Sequence, residues 1–140
     1  MSPQQVFSVA NAVALLAWIM LAILPGRSWV TKMITTKLVP SFFAVLYTVI
    51  VVCLFGHAPG SFSTLAGVGT LFSNPWLLLA GWVHYLAFDL LVGSWELRDA
   101  RQQGISHLMV IPCLALTFLF GPAGWLLYTI LRSVRGTGSK

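Results

Sequence analysis

Long apolar runs alternate with short polar segments along the chain, and this pattern predicts membrane-spanning helices. A helix needs about 20 mostly apolar residues to cross a bilayer. Four runs come near that length, and they predict spans at about 6–24, 39–56, 75–97 and 107–131. We therefore expect an all-α integral membrane protein, a four-transmembrane-helix bundle that forms a single membrane domain over residues 1–140.

Proline and glycine mark the places where these helices should end or bend. The first run contains no charged residue, and Pro25-Gly26 follows it. The fourth run contains Pro112, which predicts a kink, and Gly121-Pro122, which predicts a break into a long and a short helix. The segment 57–75 holds several Gly and Pro residues and no Lys, Arg, Asp or Glu. Both an extramembrane loop and a short interfacial helix fit that segment.

The composition agrees with a membrane protein that has no separate soluble part. The chain is 58% hydrophobic and 8% charged, whereas soluble domains are about 25% charged. The first run lacks the basic start and the small-residue cleavage site of a signal peptide, so we expect a retained helix. Cys53 and Cys113 stand in apolar runs without metal-ligand spacing, which predicts neither a disulfide nor a metal role.

The positive charges predict an orientation. The segments 25–38 and 98–104 carry Lys or Arg, while the N-terminal segment and 57–75 carry neither. The positive-inside rule then places the two basic segments in the cytoplasm and the N-terminus outside. Four spans would also put the C-terminus outside, although that tail holds three cations. Either the basic tail is tolerated there, or the break at 121–124 turns the chain back.

All three acidic side chains of the chain, Asp89, Glu96 and Asp99, lie within eleven consecutive positions, the first two inside the third span and Asp99 just after it. A helical projection at about 100° per residue places them in one arc, which should face the bundle interior. An ionised Asp at the centre of a spanning helix costs about 2.5–3.5 kcal/mol, so such residues are functional candidates by default. The other residues that share or flank this arc are Trp82, His84, Tyr85, Val92 and Arg98.

Structural roles for the same residues stay open. Asp89 can be protonated and can join helices by hydrogen bonds to Asn11, Tyr47 or Tyr128. His84 can be a neutral core histidine that donates to a carbonyl group. A simple interfacial charge cluster would be formed by Glu96, Arg98, Asp99 and Arg101.

His107 follows Ser106, a predicted N-cap, and is either an ordinary interfacial residue or part of the site near Arg98 and Asp99. The His and carboxylate spacings match no familiar metal-ligand motif, so the sequence indicates no metal and no cofactor. If a metal did bind, His84 and Asp89 would be the first pair to consider.

The run GWVHYLAFDLLVGSWELRDARQQGISH, followed by PCLALTFLFGPAGWLLY, resembles a small membrane family related to plant neoxanthin synthase. The family is named after abscisic-acid-deficient plants and includes many bacterial members. The similarity covers nearly the whole chain in length and span count, and its specific part is residues 81–128. The start of the chain is short and poor in Arg, which fits a bacterial member better than a plastid precursor, so we expect a location in a bacterial inner membrane.

For the plant members, the resemblance implies an isomerisation that converts the epoxy-carotenoid violaxanthin to the allenic neoxanthin. Such a reaction needs an acid for the epoxide oxygen and a base for a carbon-bound proton. A carboxylic acid in an apolar site can stay protonated at neutral pH, which would suit Asp89 as the acid and leave His84 or Glu96 as the base. The expected substrate-binding residues are Trp82, Tyr85, Arg98, Asp99 and His107.

The leading hypothesis is a membrane isomerase-like enzyme, or a binder, that acts on a carotenoid or another isoprenoid lipid near the cytoplasmic interface. The expected partners are membrane lipid and this apolar ligand, and no nucleic acid. A second hypothesis is a non-enzymatic accessory protein that binds pigment or lipid. A third is a small transporter or proton path through His84, Asp89 and Glu96, although the chain shows no inverted repeat. The sequence does not indicate an oligomeric state.

Overall fold

The computed structural model describes residues 1–24, 29 and 35–136, and these residues form six α-helices and no strand. A single turn of 3₁₀ helix, Phe55–His57, extends the second helix. The basic positions Arg27, Lys32 and Lys140 lie outside the described residues. The helices are α1 (Pro3–Ile23), α2 (Val39–Leu54), α3 (Leu65–Phe72), α4 (Pro75–Gln102), α5 (His107–Phe120) and α6 (Pro122–Gly136).

Within the described ranges, three helices are long and apolar enough to cross a membrane. They are α1, α4 and the continuous helical segment Thr35–His57, which contains α2. These helices correspond to the first three predicted spans, and together they indicate an integral membrane protein. The segment between α2 and α4 contains the short helix α3. Of the loop and the short helix that the sequence allowed there, the structure shows the helix.

The predicted fourth span consists of two short helices. α5 has 14 residues and α6 has 15 residues, or about 21 and 22 Å of helix, which is less than the roughly 30 Å of a hydrocarbon core. The break falls at Gly121, as its glycine and the following proline predicted. Pro112 lies inside α5, which continues to Phe120. The prediction of four spans is therefore not met, because the chain reverses at the break.

α5 and α6 form a helical hairpin that packs on α4. The tip of the hairpin, Gly121, lies against the carboxyl group of Asp89, halfway along α4. Eleven positions after the tip, Arg132 forms an ion pair with Asp99, ten positions after Asp89. From the first contact to the second, the chain moves by nearly the same number of positions along both helices. α6 therefore runs parallel to α4 and returns to the end of α4 next to which α5 begins. Of the two outcomes left open for the basic tail, the structure supports the reversal.

α4 is the central helix of the fold. Each of the other five α-helices packs against it. Its apolar window is 56% buried, compared with 28% in α1 and 17% in Thr35–His57. α4 therefore forms the core, and the other two spanning helices present most of their surface outward. One apolar cluster joins α4 to α1, α5 and α6, and a second joins α4 to α1 and α2.

Local chemistry explains where α4 begins and ends. The side chain of Asn74 accepts a hydrogen bond from the backbone N–H of Trp76 at 2.9 Å, and Pro75 occupies the first helical position. Both features are typical of a helix start. After the helix, Gly104 has a φ of +67°, a left-handed conformation that glycine adopts at little cost. The turn that follows places α5 beside α4.

The hairpin predicts which chain segments share a side of the membrane. In a variant with Cys53 and Cys113 replaced by serine, single cysteines are introduced as Ser2→Cys, Ser63→Cys, Gln103→Cys and Arg135→Cys, all at exposed positions. We expect a membrane-impermeant thiol reagent to label Gln103→Cys and Arg135→Cys from one side of sealed vesicles, and Ser2→Cys and Ser63→Cys from the other. Labelling of Arg135→Cys together with Ser2→Cys would contradict the hairpin and would support four spans.

Candidate functional site

The three carboxylates of α4 all point into the protein, towards the α5–α6 hairpin. Asp89 and Asp99 are 8% exposed as whole residues, and Glu96 is fully buried. Their spacings of seven and three residues bring them back to nearly the same face of the helix. Burial in an apolar core makes an unpaired carboxyl group costly, so the partners of each group indicate its role.

Asp99 is held by two partners from α6. The hydroxyl of Tyr128 donates to Asp99 Oδ2 at 2.7 Å, and Arg132 Nε lies 2.8 Å from the same oxygen. Charge-assisted bonds of this kind are about twice as strong as neutral ones. Arg98, the neighbour in sequence, instead donates to Thr36 Oγ1 at 2.8 Å. The hairpin, and not the interfacial charges of α4, therefore pairs with Asp99.

Glu96 is sealed by α5. The hydroxyl of Thr117 lies 2.9 Å from Glu96 Oε1 and 3.1 Å from Oε2, close enough to donate to either oxygen. α6 approaches Thr117 so closely that a Cβ at Gly124 would overlap its backbone. Glu96 therefore lies beneath two packed helices and lines none of the cavities described below.

Asp89 differs from the other two carboxylates because no described side chain of the hairpin donates a hydrogen bond to it. Asp89 Oδ2 is buried and has no hydrogen-bond partner among the described residues. A Cβ at Gly121 would overlap Asp89 Oδ1, so only glycine lets the hairpin tip approach this close. A buried polar atom without a partner is rare in proteins and calls for an explanation.

None of the three residues expected to bond Asp89 does so. Asn11 Oδ1 accepts from the indole N–H of Trp82 at 2.8 Å. Tyr128 bonds Asp99, as described above, and the ring of Tyr47 lies 5.5 Å from that of His84. The interpretation of Asp89 as a hydrogen-bonded link between helices therefore has no support from these partners.

Two cavities adjoin the turn of α4 that precedes Asp89. The first has a volume of about 570 Å³ and lies between the start of α1, the end of α3 and the start of α4. The second, about 300 Å³, lies between α1, α4 and the end of α5. Trp82 and Tyr85 line both, so we treat the two as one α1–α4 groove. Its remaining walls are mainly apolar and include Phe7, Leu15 and Phe118.

Tyr85 connects the α1–α4 groove to the hairpin tip. Its hydroxyl lies 3.3 Å from the carbonyl oxygen of Phe118 and 3.0 Å from that of Leu119. The last carbonyl groups of a helix lack intrahelical partners, so Tyr85 satisfies the end of α5. Tyr85 also precedes Asp89 by one helical turn, on the same face of α4. A molecule in the groove would thus reach Tyr85 first and Asp89 behind it.

His84 lies on a different side of α4, and the expectation that it shares the inward face is wrong. Its ring is exposed and stacks on Phe88, with ring centroids 4.6 Å apart. Five residues turn a helix by about 140°, which separates His84 from Asp89. His84 lines a third cavity of about 380 Å³ between α2, α3 and α4, the α2–α4 groove. His84, Asp89 and Glu96 therefore do not form one line of relay stations.

Two further predicted residues lie apart from Asp89. Trp82 is partly exposed, and its ring contacts those of Phe7 and Tyr85 in the wall of the α1–α4 groove. His107 Nε2 lies 2.7 Å from the carbonyl oxygen of Ala22, and this contact joins the start of α5 to the end of α1. His107 is thus near the end of α4, far from the groove. The grooves themselves lie in the half of α4 nearest its start, not at the predicted cytoplasmic interface.

Sequence reasoning gave no role to two residues of the hairpin that complete the site, Thr117 and Arg132. It named Gly121 only as a break and Tyr128 only as a candidate partner of Asp89, whereas Gly121 contacts Asp89 and Tyr128 bonds Asp99. The sequence holds a weak signal for these residues. Thr117 and Tyr128 are hydroxyl-bearing residues in apolar runs, Gly121 stands at the break, and Arg132 follows Tyr128 by one helical turn. Among the described residues no group of three His, Cys, Asp or Glu side chains comes together to hold a metal ion.

A family model described as ABA DEFICIENT 4-like matches residues 5–128. The matched stretch includes the whole of α4 and α5, the hairpin tip and Tyr128, and so contains the three carboxylates and most of their partners. No curated protein and no solved structure matches the chain.

The contact between Gly121 and Asp89 predicts a specific energetic coupling. We expect Gly121→Ala to destabilise the protein by about 1–3 kcal/mol, since the added methyl group overpacks the carboxyl group. In the Asp89→Ala background the same change should cost less, with a coupling energy of about 0.5–3 kcal/mol. Unfolding free energies from denaturing-detergent titrations measure both values.

Gly56→Ala is the matched control, because a Cβ there meets nothing within 4 Å. Equal costs of Gly121→Ala with and without the Asp89 carboxyl group would show that the hairpin tip does not rest on Asp89.

Proposed function

The chain belongs to the ABA DEFICIENT 4-like family, a membrane family related to neoxanthin synthase, and from this premise we propose that it binds and isomerises an oxygenated isoprenoid lipid. A carotenoid is the substrate class that we favour, and a bacterial inner membrane is the compartment that we propose. The proposal depends on the resemblance of the chain to this family and on the chemistry of one carboxyl group, Asp89.

The observation that carries the proposal is the unpartnered oxygen of Asp89, one helical turn behind a groove. Leaving a buried polar group unsatisfied costs about 1–3 kcal/mol. An oxygenated ligand would remove this cost, because a protonated Asp89 can donate to a hydroxyl or epoxide oxygen. The other two carboxyl groups already have partners from the hairpin.

The α1–α4 groove supplies a path for such a ligand. Its walls are mainly apolar, as expected of a site for a hydrocarbon chain. The polar groups at its inner end are few: the Asn11 side chain, bonded to Trp82, and the hydroxyl of Tyr85. An isoprenoid would enter from the bilayer with its apolar body in the groove and its oxygenated end at Tyr85 and Asp89.

One carboxyl group is sufficient to balance the protons of the reaction. Asp89 donates its proton to the epoxide oxygen as one C–O bond of the epoxide breaks. The resulting carboxylate takes a proton from the neighbouring unsaturated carbon, and the C–H electron pair forms the second double bond of an allene. The oxygen remains as a hydroxyl group, Asp89 is protonated again, and substrate and product have the same composition.

In this proposal the other residues that the sequence nominated for catalysis have structural roles or lie outside the site. Glu96 and Asp99 hold the hairpin against α4 through Thr117, Tyr128 and Arg132, and the hairpin in turn keeps water away from Asp89. His84 does not serve as the base, because it opens into the other groove.

A second candidate function is pigment or lipid binding without conversion. It is favoured by the position of Tyr85, which lines the groove while Asp89 does not. If Tyr85 stays in place, it separates a bound molecule from the carboxyl group of Asp89, and the groove then binds the molecule without converting it.

Expression in a bacterial host that makes an epoxy-carotenoid tests both candidates. We expect a new pigment of unchanged mass with wild-type protein, and a loss of about 10²–10⁴-fold in its rate of formation with Asp89→Asn, which removes the acid. Pigment extraction followed by chromatography and mass measurement gives the rates, normalised to the amount of membrane protein.

Thr48→Val, an isosteric change on the exposed face of α2, is the control and should leave conversion unchanged. Co-purified but unconverted pigment would establish the binder instead. Full conversion by Asp89→Asn would exclude the proposed acid.

A further inference from the structure

We propose that the end of α4 opposite the grooves binds an anionic phospholipid, with Arg98 at the lipid phosphate and an acyl chain along the outer surface of α4. This site is separate from the α1–α4 groove, and it does not depend on the proposed isomerisation. It is inferred from an unbalanced cation and from an exposed strip of α4 that leads to it.

Arg98 is a partly buried cation without an acidic partner. Its guanidinium donates a hydrogen bond to Thr36 Oγ1 at 2.8 Å, and it forms no other hydrogen bond or ion pair with a described residue. A guanidinium carries five N–H donors, and removing a charge from water is costly unless the charge is paired. The contact with Thr36 therefore fixes Arg98 between α4 and the start of α2 and leaves most of its donors without an acceptor.

No acidic side chain of the protein balances this charge. The chain has only three such side chains. Asp99 is already ion-paired with α6, and Glu96 is sealed beneath α5. Asp89 lies about 13 Å away along the helix. We therefore expect the counter-ion of Arg98 to come from the surroundings of the protein.

Two more cations lie close to the contact between Arg98 and Thr36. Lys37 follows Thr36 in sequence, and Arg101 follows Arg98 by one turn on α4. Both are exposed, and neither forms an ion pair with a described residue. Cations from two helices thus surround one point, and this charge complements a phosphate group, whose oxygens match the planar fork of arginine.

An exposed strip of α4, formed by Phe88, Leu91 and Trp95, leads along the helix to Arg98. The intervals of three and four residues place these side chains on the same face as Arg98. Phe88 is 56% exposed and Trp95 is 37% exposed. The strip is apolar along its whole length and ends at the guanidinium, which is the order of groups in an acyl chain and its phosphate.

α2 and α6 flank this strip. On one side Ser94 Oγ donates to the carbonyl oxygen of Thr35 at 3.2 Å, which joins α4 to the start of the second spanning segment. On the other side Asp99 accepts from the hydroxyl of Tyr128 in α6. Ser94 and Asp99 are about 140° apart around α4, and the strip occupies the arc between them. An acyl chain therefore fits on α4 between the two neighbouring helices.

The depth of Arg98 in the membrane agrees with a lipid phosphate. Arg98 lies about 34 Å along α4 from Pro75, and a hydrocarbon core is roughly 30 Å thick. If Pro75 begins α4 at one surface of the bilayer, Arg98 lies among the headgroups of the other. A zwitterionic lipid would bring its own positive group close to the three cations, so we propose a lipid of net negative charge.

Native mass spectrometry of the purified full chain in detergent, titrated with one lipid at a time, tests the proposal. The probes are dioleoyl phosphatidylglycerol, which is anionic, and dioleoyl phosphatidylcholine, which is zwitterionic. We expect the anionic lipid to bind at least fivefold more tightly. Inorganic phosphate at millimolar concentration should not displace it, because phosphate alone makes no contact with the strip.

Arg98→Gln keeps a donor for Thr36 and removes the charge. It should weaken phosphatidylglycerol binding at least tenfold and change phosphatidylcholine binding less than twofold. Arg135→Gln removes an exposed arginine from the same end of the molecule and is the matched control, with a loss below threefold. The double variant Lys37→Gln with Arg101→Gln leaves Arg98 in place and should lose at least fivefold, so the test survives if Arg98→Gln fails to fold.

The acyl chain is located by a phosphatidylglycerol that carries a photoreactive group in that chain. We expect it to label α4 between Phe88 and Trp95, and labelling confined to other helices would overturn the strip. Equal losses in Arg98→Gln and Arg135→Gln would show a response to overall charge and would overturn the site. Equal binding of the two lipids by wild-type protein, or displacement by inorganic phosphate, would overturn the anionic lipid as its ligand.

Discussion

A carboxyl group inside hydrocarbon needs a hydrogen-bond partner, and the structure depends on how three such groups on one helix obtain theirs. The α5–α6 hairpin supplies Thr117 to Glu96, and Tyr128 with Arg132 to Asp99. It supplies only a glycine to Asp89, which keeps one buried oxygen without a partner. The same hairpin that stabilises two carboxyl groups thus gives the third no donor, and this third group is the one that we propose meets a ligand.

The hairpin also accounts for the charges of the chain. Three spanning helices and a hairpin that returns to the end of α4 place Arg132 and Arg135 near the basic turn after α4. Among the described residues, the cations near the end of α4 then agree with the positive-inside rule. Arg132 has two roles in this arrangement: it belongs to the basic end of the molecule, and it fixes the hairpin to Asp99. The contacts of the hairpin with α4 therefore determine both the path of the chain through the membrane and the arrangement of the carboxyl groups.

Sequence patterns predicted the all-helical membrane class and the break at Gly121, because apolar run length and a Gly-Pro pair are local signals. They also predicted the inward-facing carboxylates, because helical periodicity and the cost of burying a charge can be judged from α4 alone. They did not predict the direction of the chain after Gly121, since a break followed by an apolar helix fits both a continued span and a reversal. Nor did they predict the position of His84, because a projection of one helix cannot say which of its flanks the neighbouring helices cover. The partners of Glu96 and Asp99 lie 21 and more residues away, and no short-range pattern reveals them.

The central claim, that Asp89 is the carboxyl group nearest the α1–α4 groove and the one that meets a ligand there, one helical turn behind Tyr85, is tested most directly by chemical labelling. An apolar carbodiimide that reacts with protonated carboxyl groups from the lipid phase is added to the protein in membranes, and the modified residue is located by mass spectrometry of peptides. The account predicts modification at Asp89, with Glu96 and Asp99 spared, and slower modification when a carotenoid occupies the groove. Modification of Glu96 with Asp89 untouched would contradict it.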